Sequence, residues 1–181
     1  MADPAGFCLF GTTIGDCGIA WRGEVLVGVQ LPEADSEAGR RRLRRRFDAL
    51  QESQPPGWVQ AAIHRIQALL EGEHDDLLDL PLEMEGVPAF NRRVYEIARA
   101  IPPGRTVTYG EVAARLGEPG AARAVGQALG HNPFAPVVPC HRVLAANTAG
   151  GGFSAEGGVA TKLRMLQIEK AQLGSEPGLF D

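Results

Sequence analysis

The chain has 181 residues, 44% of them hydrophobic and 22% charged, with a formal net charge of −4. That length gives one large or two small domains, and the composition is that of an ordinary globular protein able to bury a core without staples. No segment approaches the length of a transmembrane helix, no basic run precedes an apolar stretch at the N-terminus, and three cysteines form no disulfide framework, so a reducing cytoplasmic location is expected, or a nuclear one if the source is eukaryotic.

The first elements read as strands. Phe7–Phe10 is short and apolar, and residues 17–21 and 24–30 flank Arg22-Gly23 with Val25, Val27 and Val29 alternating, which predicts a hairpin or meander ended by Leu31-Pro32. Ser36–Leu50 reads as a helix carrying the run Arg40–Arg46. Offset by Glu33, Asp35, Glu37 and Asp48, that run is read as a solvated helix face rather than a nucleic-acid patch. Residues 51–57 form a loop. Val59, Ala62, Ile63, Ile66, Leu69 and Leu70 make one stripe of a helix over 58–70, stopped by Glu71-Gly72. The alternation of Leu80, Leu82 and Met84 predicts a further strand, and a domain boundary is expected near Gly86-Val87-Pro88, dividing 1–86 from 87–181.

The second half reads as mostly helical, so the fold class is α+β. Phe90, Val94, Ile97, Ala98 and Ile101 share a helical face ended by Pro102-Pro103-Gly104. Thr108 with Glu111 makes a capping box for a short helix through Leu116. A turn at Gly117, Pro119 and Gly120 leads to a second short helix, Ala121–Leu129, closed by Gly130. Two short helices about a glycine-containing turn fit a helix-turn-helix, although many helical hairpins share that pattern. Charge is distributed unevenly. Residues 91–145 hold seven arginines against three glutamates, whereas residues 1–90 hold eight basic groups against fifteen acidic ones. A local basic segment on an acidic protein can attract phosphates.

The second of these helices has an unusual composition for a reader of base edges in the major groove. Ala121, Ala122, Ala124, Gly126 and Ala128 are small, Arg123 is its only charge and Gln127 its only amide. Small side chains suit close approach to the minor groove, where one arginine could enter the base stack in place of an extruded base. The alanines could equally pack against the core. Downstream lies Pro139-Cys140-His141-Arg142-Val143. Cysteine is a strong soft nucleophile once its thiolate is favoured, and histidine can favour it near neutral pH. An arbitrary Cys-His pair is more often a buried inert thiol beside a structural imidazole. The flanking helix pair and the glycine-rich run after it favour a nucleophile here.

Arg123-Ala124-Val125-Gly126, Asn132-Pro133, Pro139-Cys140-His141-Arg142-Val143 and Gly151-Gly152-Phe153-Ser154, in this order and spacing, resemble the O6-alkylguanine-DNA alkyltransferases. The likeness is strong from about Phe90 to Lys170 and holds only in outline over residues 1–85. It implies an N-terminal domain with a small antiparallel sheet in a ribonuclease-H-like outline, and a winged-helix-like C-terminal domain with a helix-turn-helix. It implies irreversible, single-use transfer of an alkyl group from O6-alkylguanine, and also from O4-alkylthymine, in flipped-out duplex DNA held through the minor groove by a monomer. Position by position, it implies Cys140 as acceptor, His141 as base through a bound water, Glu169 in the last helix orienting His141, and Asn132 bracing the turn before the cysteine. Arg123 would be the intercalating finger, with Ala121, Ala122 and Gly126 along the DNA. Tyr109 would rotate the backbone phosphate and lie in the pocket near the flipped base as a donor, and Val143, Phe153, Ser154 and Lys162 would line or close the pocket.

Two features bear on that pattern. Phe153 stands where the family's lid has tyrosine, and Ser154-Ala155-Glu156-Gly157-Gly158 carries two extra residues. Some members hold zinc in the N-terminal domain, but Cys8, Cys17, His64 and His74 form no zinc spacing. No metal and no cofactor are expected, and Cys8 and Cys17 are read as buried strand residues. The alternatives are a non-catalytic protein binding alkylated DNA, which would lack the cysteine, and a helix-turn-helix regulator, which would need a polar reading helix. A third is a cysteine hydrolase, for which a DNA-facing flank would be idle.

Overall fold

The computed structural model describes residues 4–145 and 158–171. The fold is α+β. β1 (Ala5–Thr12), β2 (Gly15–Arg22) and β3 (Val25–Gln30) form an antiparallel meander in the order β1-β2-β3. Positive φ at Gly15 and Gly23 makes the two tight turns possible. α1 (Ser36–Arg46) covers one face, where Leu43 joins Phe7 and Ala20. Its start is fixed by Asp35, whose carboxylate accepts from the Ala38 amide at 2.8 Å. The helix stops at Arg46, four residues short of the expected Leu50, because Phe47 leaves helical geometry at φ −131°. α2 (Gly57–Leu69) buries its predicted stripe against the other face, and Gly72, at φ +107°, allows the chain to turn away.

The strand expected at Leu80–Met84 does not form. Only Leu82 bridges β3, through the bonds Leu26 N–H to Pro81 O (2.8 Å) and Glu83 N–H to Leu26 O (2.8 Å). Pro81 has no amide with which to extend the ladder.

α3 (Ala89–Arg99), α4 (Tyr109–Arg115) and α5 (Ala122–Gly130) follow, with α5 packed on both α3 and α4. The expected cap of α4 is present, with Thr108 Oγ1 accepting from the Glu111 amide at 3.0 Å. α5 runs one residue further than expected, taking in Gly130. β4 (Val107–Thr108) and β5 (Val143–Leu144) pair in parallel, which brings the start of α4 beside the residues that follow the cysteine. α6 (Gly158–Ile168) packs on the 3₁₀ turn Cys140–Arg142. One buried cluster runs from Phe10, Trp21 and Leu26 through Val94, Ile101 and Val125 to Cys140 and Met165, so both halves of the chain rest on a shared core.

Among the described residues, no helix is long and apolar enough to cross a membrane. Of the N-terminal cysteines, Cys17 is fully buried, and burial pushes its thiol up to about 12. Cys8, on β1, is only half-buried, contrary to expectation; burial, with Glu52 nearby, raises its thiol to about 11.

Candidate active site

Cys140 opens the 3₁₀ turn and is 6% exposed. Burial pushes its thiol up, while the Asn132 amide, the Lys162 ammonium and the backbone amides of Cys140 and His141 favour the thiolate. The resting group is therefore a thiol in surroundings already arranged for the anion.

The next two side chains point to a common carboxylate. His141 Nε2 donates to Glu169 Oε2 at 2.9 Å, and Arg142 donates from Nη2 to Oε2 (2.8 Å) and from Nε to Oε1 (3.0 Å). Arg142 Nη1 also donates to Ile101 O at 2.8 Å. All three side chains are buried, with Glu169 at 5% and His141 at 1%. Glu169 lies one residue beyond the last residue of α6, in a turn still bonded back to Met165. The turn ending in Gly104 brings an amide to 3.4 Å from Oε1, and the φ of +89° there favours glycine.

Burial opposes the Glu169 charge, but hydrogen bonds from His141 and Arg142 outweigh it and hold the carboxyl at about 2. Burial lowers His141, more than Glu169 raises it, so the imidazole is neutral. With Nε2–H given to Glu169, the basic lone pair is on Nδ1.

These shifts carry a pH dependence. Glu169 sits below its ordinary value in the fold, so the stability it contributes is complete above about pH 4.5 and is lost as the pH falls toward about 2. His141, depressed as well, binds its proton mainly after unfolding and adds to the loss at acid pH. Urea midpoints are expected to fall steadily between about pH 5 and pH 3, with a shallower fall in Glu169→Gln than in the parent. Equal slopes in the two proteins would contradict the buried ionised carboxylate.

Asn132 bridges the turn before the cysteine, donating from Nδ2 to Val138 O (2.7 Å) and accepting on Oδ1 from the Phe134 amide (2.9 Å). Lys162 of α6 is fully buried, with Nζ donating to Val143 O at 2.9 Å and lying 5.9 Å from the centre of the Tyr109 ring. Burial lowers its ammonium to about 8, and Cys140 opposes that shift. Val143 is completely buried. Tyr109 is half-buried, its phenol raised by burial and by Cys140, and its ring faces Gly126 of α5 at ordinary contact distance for a side chain there. On α5, Arg123 and Gln127 are exposed and Ala121, Ala122, Ala124 and Gly126 are half-buried. The outward face of that helix is thus small side chains with one guanidinium and one amide.

Cys140, His141, Glu169, Asn132, Lys162, Val143 and Tyr109 come together, and Arg123 stands apart on the surface. Phe153 and Ser154 lie outside the described residues. Two participants carried no sequence signal of their role. Arg142 was visible only as part of a motif, and its ion pair with Glu169 joins residues 27 apart in the chain. Tyr95 of α3 donates to Ala128 O at 2.7 Å and anchors α5 from within the core.

A buried thiol backed by neutral histidine and an ionised glutamate is the arrangement of the class of proteins in which cysteine can serve as a nucleophile. Residues 89–171 match the family model described as the DNA binding domain of 6-O-methylguanine DNA methyltransferase. A methylated-DNA–protein-cysteine methyltransferase of Mycobacterium bovis is 36% identical over 168 residues, covering 93% of this chain and 94% of that protein. A DNA base-flipping protein of Thermus thermophilus is 44% identical over 106 residues, 59% of this chain and 69% of the other. The crystal structure of the Mycobacterium tuberculosis protein in complex with DNA superposes with a TM-score of 0.72 at 33% identity, covering 91% of this chain and 92% of that one. The chain belongs to the methylated-DNA–protein-cysteine methyltransferase family.

Proposed function

We propose that this protein repairs DNA by direct reversal, transferring an alkyl group from O6-alkylguanine, and from O4-alkylthymine, to Cys140. The observation that carries the reading is the buried array Cys140–His141–Glu169 with its hydrogen-bonded imidazole. His141 Nδ1 takes the thiol proton through a water molecule, and Glu169 holds the imidazole in the tautomer that can do so. The sulfur forms a bond to the alkyl carbon as the bond from that carbon to the base oxygen breaks. The electron pair stays with the base, which takes up a proton from a neighbouring donor. Lys162, charged below about pH 8, favours the thiolate as it forms. The product is a thioether, which no group in the site can reverse, so each molecule acts once.

The DNA side of the proposal rests on α5. Its small outward residues Ala121, Ala122 and Gly126 allow close approach to the minor groove, Arg123 takes the place of the flipped base, and Tyr109 at the head of α4 rotates the phosphate. Asn132 braces the turn, and Val143 and Lys162 line the pocket. We further propose two domains divided near residues 86–88, and a cytoplasmic monomer.

The test is a titration. Excess duplex carrying one O6-methylguanine is incubated with the protein and the remaining lesion is counted. Repair is expected to stop at one lesion per protein molecule; continued turnover, or no repair, would contradict the proposal. Arg123→Ala is expected to slow repair in duplex by about tenfold or more, and to matter far less when the lesion sits opposite a mismatch that is already unpaired.

A further inference from the structure

Most of the arginine run on α1 behaves as a solvated face. Arg40 pairs with Glu37 and Glu52, Arg42 with Glu33, and Arg44 with Glu37, while Arg41 and Arg45 are exposed. Arg46 departs from that expectation. It turns inward and is half-buried, its guanidinium stacked 4.9 Å from the centre of the Phe47 ring. Among the described residues it donates to neutral oxygens only: Gln30 Oε1 (3.2 Å), Val29 O (3.5 Å) and Pro133 O (3.0 Å). Burial, with Arg42 nearby, lowers it to about 10, so the fold holds this charge at a cost.

The last of those acceptors leads to the reacting sulfur. Pro133 O also accepts from the Val29 amide of β3 at 3.0 Å. Asn132 precedes it, and Asn132 Nδ2 donates to Val138 O at 2.7 Å. The amide of Cys140 donates to that same oxygen at 2.9 Å. A continuous path of backbone and short hydrogen bonds thus runs from α1 to the cysteine. A cavity of about 330 Å³ lies beside this path, lined by Arg46, Gln30 and Leu31 on one side and by Asn132, Pro133 and Cys140 on the other, while Val29, Phe134, Val138 and Cys140 share one buried core. At the cavity, Pro133 O takes bonds from both the Arg46 guanidinium and the Val29 amide.

We propose that Arg46 is a positioning residue for alkyl transfer, clamping the turn that carries Asn132 and so setting where Cys140 stands. The inference rests on the reading that Cys140 is the acceptor. Gln30, itself buried and bonded to Gly39 O at 2.9 Å, holds the guanidinium in place. The charge of the N-terminal helix therefore acts on the chemistry without touching the DNA or the base.

The experiment measures single-turnover transfer from a duplex containing one O6-methylguanine, over a range of DNA concentrations, for the parent, Arg46→Ala, Arg46→Lys and the exposed control Arg45→Ala. Arg46→Ala is expected to lower the saturating rate by about tenfold or more, with the half-saturating DNA concentration unchanged, because a small misplacement of a nucleophile costs rate rather than binding. Arg46→Lys keeps one donor for Pro133 and is expected to lie between the two, about threefold below the parent. Arg45→Ala should match the parent. A parental saturating rate in folded Arg46→Ala, or a loss confined to DNA affinity, would overturn the inference. If Arg46→Ala does not fold, Arg46→Lys decides, and a parental rate there would overturn it. Failure of the parent itself to transfer would instead refute the assignment of Cys140.

Discussion

Replacing Cys140 by serine is expected to lower alkyl transfer by about a thousandfold or more while leaving binding to lesion-bearing duplex intact. The hydroxyl is a hard, weakly acidic nucleophile, and a neutral His141 reaching it through water cannot ionise it appreciably. The proposed binding surface on α5 is separate from the sulfur: Arg123 is exposed, whereas Cys140 is buried. Stopped-flow or quench assays of transfer, paired with gel-shift titration of the same variant, separate the two quantities. A variant that loses both together would place Cys140 in the fold rather than in the chemistry.

The largest effect on stability is expected at Arg142. Its guanidinium makes two bonds to Glu169 and one to Ile101 O, all buried. Arg142→Leu would leave an ionised carboxylate with only His141 and the Gly104 amide as partners. Removing one member of such a pair costs about 3–5 kcal/mol, which in a protein of this size lowers the melting temperature by roughly 6–20 °C. The double variant Arg142→Leu/Glu169→Leu is expected to recover part of that loss, because the uncompensated charge is gone. It should nevertheless transfer alkyl groups poorly, since His141 has lost the acceptor that fixes its tautomer. Calorimetry on the single and double variants checks the first point, and single-turnover transfer checks the second.

Much of this architecture was legible because its signals are local. The alternation of Val25, Val27 and Val29, the stripe from Val59 to Leu70 and the Thr108–Glu111 cap are each written within a few residues, and each became the expected element. Leu80–Met84 misled because period-two alternation says nothing about whether an adjacent ladder has a partner, and Pro81 removes the amide needed to extend one. The residues of the candidate site were named through a resemblance carried by motifs. Their pairwise geometry was not legible: Glu169 bonds to His141 and Arg142, 28 and 27 positions away, only because α6 folds back on the 3₁₀ turn. Arg46 shows the limit most clearly. In sequence it is the last of six arginines on one helix, indistinguishable from Arg45, and only the β3 edge and the turn at Pro133 give it a different environment.

The most direct test of the central claim is peptide mass mapping after incubation with duplex containing one O6-methylguanine. The peptide containing Cys140 should become about 14 Da heavier, the mass of a methylene, in stoichiometric yield and at no other position. A shift on Cys8 or Cys17, or repair of the lesion with Cys140 unmodified, would contradict the account.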